Sequence, residues 1–159
     1  MKTTIFYFSK FGATKQYAEW IAEAVPGTKL VDAFNEAPDP SPYDAIIIAT
    51  RAYMGRIAAV SYLKSNWKTL KDKKMYLLVV GMSPPEAEDS QRQYYNIPIK
   101  IRKKILGYSK VPGAIDLDKL SPIRRKLVQI FSQKVPVSKN MVAKEYITPV
   151  VEWMKKQVV

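Results

Sequence analysis

Apolar positions recur along this chain in two ways. Some form short unbroken runs bounded by turn residues, and others return every three or four positions. Thr4, Ile5, Phe6, Tyr7 and Phe8 are β-branched or aromatic and end at a turn, which predicts a buried strand. Tyr17, Ala18, Ile21, Ala22 and Val25 then repeat at helical spacing, and Pro26-Gly27 ends that helix. Residues 28–34 read as a second strand at a sheet edge, and Pro38, Pro40 and Pro42 make a stiff connector. Residues 43–50 hold the continuous run Ala45-Ile46-Ile47-Ile48-Ala49, expected of a central strand covered on both faces. A loop over 50–56 and a helix over 57–66 follow. Residues 73–82 repeat the scheme, with a buried run from Met75 to Val80 entering the loop Gly81-Met82-Ser83-Pro84-Pro85. Beyond it the pattern predicts a helix-rich segment to Tyr108 broken near Pro98, then a short strand over 111–117. Ser121-Pro122 begins a helix with an apolar stripe of Ile123, Leu127, Ile130 and Phe131, and residues 145–156 form a last helix.

Strand and helix thus alternate five times, without internal repeats or low-complexity sequence. The expected fold is a doubly wound three-layer α/β sandwich. Its five-stranded parallel sheet has the order 2-1-3-4-5, in a single domain spanning residues 1–159.

Composition narrows the chemistry. The chain has no Cys and no His, which excludes disulfides, thiol nucleophiles, cysteine-ligated clusters, the usual zinc sites and histidine acid–base catalysis. No catalytic side chain and no metal-ligand set stands out, so any reaction must be borrowed from a bound cofactor. No apolar run approaches a membrane span and no cleavable leader pattern is present, so the expected location is cytoplasmic. The net charge of +12 is uneven: residues 91–159 carry 15 basic and 4 acidic side chains, or +11. That asymmetry points to an acidic partner, an anionic membrane surface or nucleic acid, or to a solvated basic surface with no partner.

One turn has a more specific chemistry. Ser9-Lys10-Phe11-Gly12-Ala13-Thr14 joins the first strand to the first helix. Such a turn aims the free N–H groups and the positive dipole end of the helix above the strand, while Ser9, Thr14 and the Gly12 backbone add donors and close approach. An anion fits there. A plain strand-to-helix turn, with Thr14 as N-cap and Gly12 relieving strain, would read alike. Position favours the ligand, because the first strand borders the switch point where an open parallel sheet forms its crevice.

With these residues in view, the chain resembles the flavodoxin superfamily over nearly its whole length. Within it, the chain is similar to the flavodoxin-domain branch that includes menaquinone-dependent protoporphyrinogen oxidases. The resemblance rests on Tyr-Phe-Ser-Lys-Phe-Gly-Ala-Thr-Lys at 7–15, Tyr43-Asp44-Ala45-Ile46-Ile47, Tyr53-Met54-Gly55-Arg56-Ile57-Ala58, Val80-Gly81-Met82-Ser83-Pro84-Pro85, Gly113-Ala114-Ile115-Asp116 and Leu120-Ser121. It implies that Ser9, Lys10, Phe11, Gly12, Ala13 and Thr14 hold the phosphate of flavin mononucleotide (FMN). Thr50, Arg51, Ala52, Tyr53, Met54 and Gly55, with Gly81, Met82, Ser83 and Pro84, would flank the ribityl chain and the ring. Tyr53 is the candidate for stacking on one ring face, and Tyr94 and Tyr95 are weaker candidates for the other. Two departures stand out. Phe11 and Ala13 replace the Thr and Asn common in flavodoxins, and Arg51 and Arg56 stand where acidic shuttles carry carboxylates. Guanidinium groups there would raise the flavin's reduction potential.

The implied function is an FMN-dependent oxidoreductase or electron-transfer protein, with the protoporphyrinogen oxidase type passing electrons to a quinone. Its partners would be a redox protein or a quinone. Arg92, Lys100, Arg102, Lys103, Lys104 and Lys110, with Arg124, Arg125 and Lys126, are expected to form a surface that docks peripherally on anionic membrane. Nucleic acid is disfavoured as a partner. The alternative is a non-catalytic binding protein of the same fold whose basic C-terminal half contacts membrane, nucleic acid or an acidic protein. A receiver domain is set aside because Phe8, Ser9 and Thr50 occupy the edges where carboxylates would be needed. A nicotinamide dehydrogenase is disfavoured because no Gly-x-Gly-x-x-Gly follows a strand.

Overall fold

The computed structural model describes residues 1–10, 12–53, 55–114, 121–123, 125–127, 130 and 142–158. Five parallel strands make the main sheet: β1 (Thr3–Phe8), β2 (Lys29–Asp32), β3 (Ala45–Tyr53), β5 (Lys74–Gly81) and β6 (Ile105–Pro112). Their order is β2-β1-β3-β5-β6, and the two-residue strand β4 (Arg56–Ile57) pairs antiparallel with the end of β3. With β4 set aside as a hairpin partner, this is the expected 2-1-3-4-5 order. The α/β doubly wound sandwich is therefore the fold of this chain.

The strand sequences explain the layering. Alternate residues of β1, β3 and β5 point to opposite faces. Ile5, Tyr7, Ile47, Ala49, Leu78 and Val80 pack with Tyr17, Ala18 and Ile21 of α1 (Ala13–Ala24) and Val150 and Met154 of the C-terminal helix Thr148–Val158. Phe6, Phe8, Ile46, Ile48, Leu77 and Val79 pack on the other face with Tyr62 and Leu63 of α2 (Val60–Ser65), Leu70 of α3 (Trp67–Leu70) and Ile101 of α5 (Ile99–Arg102). The unbroken Ile46-Ile47-Ile48 run thus serves two cores at once. Edge strand β2, by contrast, is only partly buried.

Four boundaries differ from expectation. β3 continues through Thr50 to Tyr53 because β4 supplies a partner for Ala52 and Tyr53. The helix expected over 57–66 accordingly begins only at Val60, and α3 follows it. β6 spans Ile105–Pro112, so Tyr108 lies in a strand rather than closing a helical segment; the part of the expected strand at 115–117 lies outside the described residues. The reason is local. Isolated apolar residues among Lys and Arg at 99–108 carry no clear period, and only pairing with β5 makes the strand. Finally, Ile123, Leu127 and Ile130 are helical but exposed, so they form no buried stripe, and Phe131 is outside the described residues. The break at Pro98 is as expected, between α4 (Glu88–Tyr95) and α5.

Candidate functional site

The carboxyl ends of β1, β3, β5 and β6 meet at one edge of the sheet. A narrow cleft of about 40 Å³ opens there, lined by Ser9, Lys10, Ala13, Thr14, Arg51, Ala52, Tyr53, Val80, Gly81, Met82, Gly113 and Ala114. Four segments far apart in sequence converge on it, as parallel strands require when their ends share an edge.

The first segment is built by backbone conformation. Gly12 is the N-cap of α1 with φ 97°, a left-handed conformation that glycine adopts without Cβ strain, and open space lies where a Cβ would stand. Its N–H donates to Ser9 Oγ at 3.3 Å, and its carbonyl accepts the first helical bond from Gln16 at 3.0 Å. Among the described residues no side chain caps this helix end. The first-turn N–H groups therefore face the cleft, with Thr14, a buried side chain, in the wall. Thr14 is not the N-cap that a plain turn would have used.

The second segment is the β3–β4 hairpin. Ala58 N–H donates to Arg51 O at 3.0 Å and folds the chain back beside the cleft. Arg51 stands 5.3 Å from the Tyr53 ring centroid and 5.5 Å from that of Phe34, so cation–π contacts hold its head group. Thr50 is a structural residue. It is fully buried, and its Oγ1 accepts the Ala59 N–H at 3.0 Å and donates to Arg51 O at 3.2 Å. It does not line the cleft.

The third segment is tied by side chains. The Lys110 ammonium, buried beside Gly81, donates to Ser90 Oγ at 3.0 Å and to Gln93 Oε1 at 3.2 Å. Gln93 donates to Asp89 Oδ2 at 2.7 Å, Ser83 Oγ donates to the same oxygen at 3.4 Å, and Ser90 Oγ donates to Ser83 O at 3.2 Å. Burial lowers the Lys110 amine from 10.5 to about 8, against a weaker opposing pull from Asp89. An added Cβ on Gly81 would stand 3.2 Å from Lys110 Cε and Nζ and from Ala52 Cβ. Glycine lets the lysine pass directly under the cleft wall. On the far side, Gly113 N–H donates to Gly81 O at 3.1 Å and Tyr17 OH to Pro112 O at 2.6 Å, fixing the end of β6.

Of the residues expected to hold a cofactor, Ser9, Lys10, Ala13, Thr14, Arg51, Ala52, Tyr53, Gly81 and Met82 line the cleft, and Gly12 shapes its turn. Gly55 lies in the hairpin turn with φ 79° outside the lining, and Ser83 and Pro84 face a different depression beside Lys110. Phe11 and Met54 lie outside the described residues. Tyr94 packs on Tyr108 at 4.6 Å, and Arg102 lies over the Tyr94 and Tyr95 rings, so neither tyrosine reaches the cleft. Val80, Gly113 and Ala114 were not anticipated as lining residues; Gly113-Ala114, just past the β6 run, was the available signal. Lys110, read as part of a basic surface, is instead an interior residue. Among the described residues no group of three acidic side chains could hold a metal, and no helix is long and apolar enough to cross a membrane.

The family model for the flavodoxin domain matches residues 4–139. This chain belongs to the flavodoxin domain family. Solved structures agree with the fold of this flavodoxin domain. A flavodoxin from the domain Archaea superimposes with TM-score 0.53 at 15% identity, covering 98% of this chain and 99% of its own. The Trp repressor binding protein from Bacillus subtilis gives 0.51 at 15% identity, over 70% of this flavodoxin domain and 85% of that chain. Oxidised flavodoxin 1 from Bacillus cereus gives 0.50 at 14% identity, over 84% and 96%. No curated protein matches the sequence.

Proposed function

We propose that this flavodoxin domain binds FMN at the described cleft and serves as an oxidoreductase or electron carrier. The observation that supports this most is the start of α1 behind Gly12, uncapped by any side chain among the described residues, at the β1/β3 edge where four segments converge. Unpaired N–H groups, a positive dipole end and an open space where a Cβ would stand together fit a phosphate. When bound, FMN supplies one- and two-electron transfer. Ser9, Thr14 and the first-turn N–H groups would hold its phosphate. Ala52, Tyr53, Gly81 and Met82 would line its sides, and the Arg51 charge would favour added electrons. The test is titration of flavin-free protein with FMN and riboflavin. One FMN per chain, bound at least about 100-fold tighter than riboflavin, is expected from charge-assisted bonds to the phosphate. Equal affinities, or no binding, would refute the cradle.

On the acceptor, we propose a quinone, in the manner of the protoporphyrinogen oxidase branch that the sequence motifs resemble. Anaerobic turnover with protoporphyrinogen and a menaquinone analogue should then reduce the quinone. A basic and apolar surface favours a membrane location for that exchange. Lys100, Lys103 and Lys104 are exposed beside exposed Ile99 and Leu106. Sedimentation with anionic vesicles but not neutral ones is the expected result, and equal binding to both would remove this reading.

A further inference from the structure

Arg51 and Tyr53 each face two spaces. On one side they line the cleft, and on the other they wall an open depression of about 510 Å³ completed by Arg56, Ile57, Ala58 and Ser61. The β3–β4 hairpin builds it. Tyr53 and Arg56 are register partners across the hairpin, and the return of Ala58 to Arg51 brings Ser61, on the first turn of α2, into the same wall.

The charges in this wall are one-sided. Of the six described residues that line it, two are cationic and none is anionic, and the ring contacts with Phe34 and Tyr53 hold the Arg51 head group in place. Arg56 is exposed, and its planar fork of donors matches the two oxygens of a carboxylate. Ser61 adds a hydroxyl donor. The rest of the wall is different: the Tyr53 ring, Ile57 and Ala58 offer an aromatic and aliphatic bed that an inorganic anion would leave unused. A flat apolar body carrying one carboxylate uses every part.

We propose that this depression binds an aromatic carboxylate, its carboxylate on Arg56 and Ser61 and its ring system along Tyr53. The site adjoins the cleft through Arg51 and Tyr53, so a molecule seated there would lie next to the cofactor; that significance, though not the binding itself, rests on the FMN reading.

Calorimetric titration of the FMN-loaded protein with 2-naphthoate and with its neutral amide, 2-naphthamide, tests the site. The acid should bind at least about tenfold tighter than the amide, as one charge-assisted pair allows. That preference should shrink with added sodium chloride. Arg56→Gln should erase it, Arg56→Lys should keep part of it, and Ser61→Ala should lower naphthoate affinity a few-fold, all without changing FMN affinity. Equal binding of acid and amide, an unaffected Arg56→Gln variant, or displacement of FMN by naphthoate would each overturn the proposal. Failure of the protein to take FMN would refute the reading of the cleft, and naphthoate titration of that same unloaded protein would still judge the depression.

Discussion

The first and third segments around the cleft reach similar positions by opposite means. Residues 9, 10 and 12–14 owe their shape to backbone: a left-handed glycine, one Ser9 hydroxyl and a helix start with no side-chain cap among the described residues. Residues 81–86 lie over a buried side-chain network in which Lys110, Ser90, Gln93, Asp89 and Ser83 connect β6, α4 and the loop itself. A backbone cradle leaves its donors for a ligand. A side-chain network consumes its donors internally, so it holds a wall in place but offers little to bind. The two should therefore fail differently, one by losing ligand and the other by losing stability or becoming sensitive to pH.

The largest effect should come from the cradle. Gly12→Glu combined with Thr14→Ala should weaken FMN binding at least about 100-fold, because a carboxylate replaces open space at the proposed phosphate position. The φ of 97° at Gly12 should add only about 1–2 kcal/mol of destabilisation. Flavin fluorescence titration beside urea denaturation separates the two, and unchanged FMN affinity would place the phosphate elsewhere.

Next comes the network. Gly81→Ala should cost about 1–2 kcal/mol in urea denaturation, since its Cβ meets Lys110 and Ala52 at 3.2 Å and the lysine must give way. Combining it with Lys110→Met should show coupling of about 0.5–1 kcal/mol between the two sites. Additive effects would mean that the lysine does not press on Gly81. A structural hydroxyl supplies a control of similar size: Thr50→Val should lose about 1–2 kcal/mol by orphaning the buried Ala59 N–H, with FMN affinity unchanged.

The last effect is a pH dependence, and its sign is fixed. The Lys110 amine lies at about 8 in the folded chain, below the ordinary 10.5 it regains on unfolding. Between those values the unfolded chain binds more protons, so this residue makes the folded state gain stability as pH rises. The difference in Tm between wild type and Lys110→Met should move in favour of the wild type from about pH 8 to about pH 10. A difference independent of pH would show an amine that is not desolvated.

Much of this was decided locally and could be read from the chain. Ile5, Phe6, Ile46, Ile47 and Ile48 have nowhere to go but between two helical layers, so burial on both faces and the parallel sheet follow from the residues themselves. Gly12 between an apolar strand and a helical period likewise announces the turn. The sequence by itself thus determined the sandwich, the strand order and the glycine turn before α1, because apolar burial, helical period and glycine's free φ are properties of neighbouring residues. Tertiary structure alone decided the rest. Thr50, held between β1 and β5, turned its hydroxyl to the Ala59 N–H, Ser83 and Pro84 turned from the cleft, and Lys110 moved from an expected surface to the interior. A residue's charge says nothing of which side of a strand it will occupy. That depends on partners such as Ser90 and Gln93, 20 and 17 positions away, which approach Lys110 only after β5, α4 and β6 have packed together.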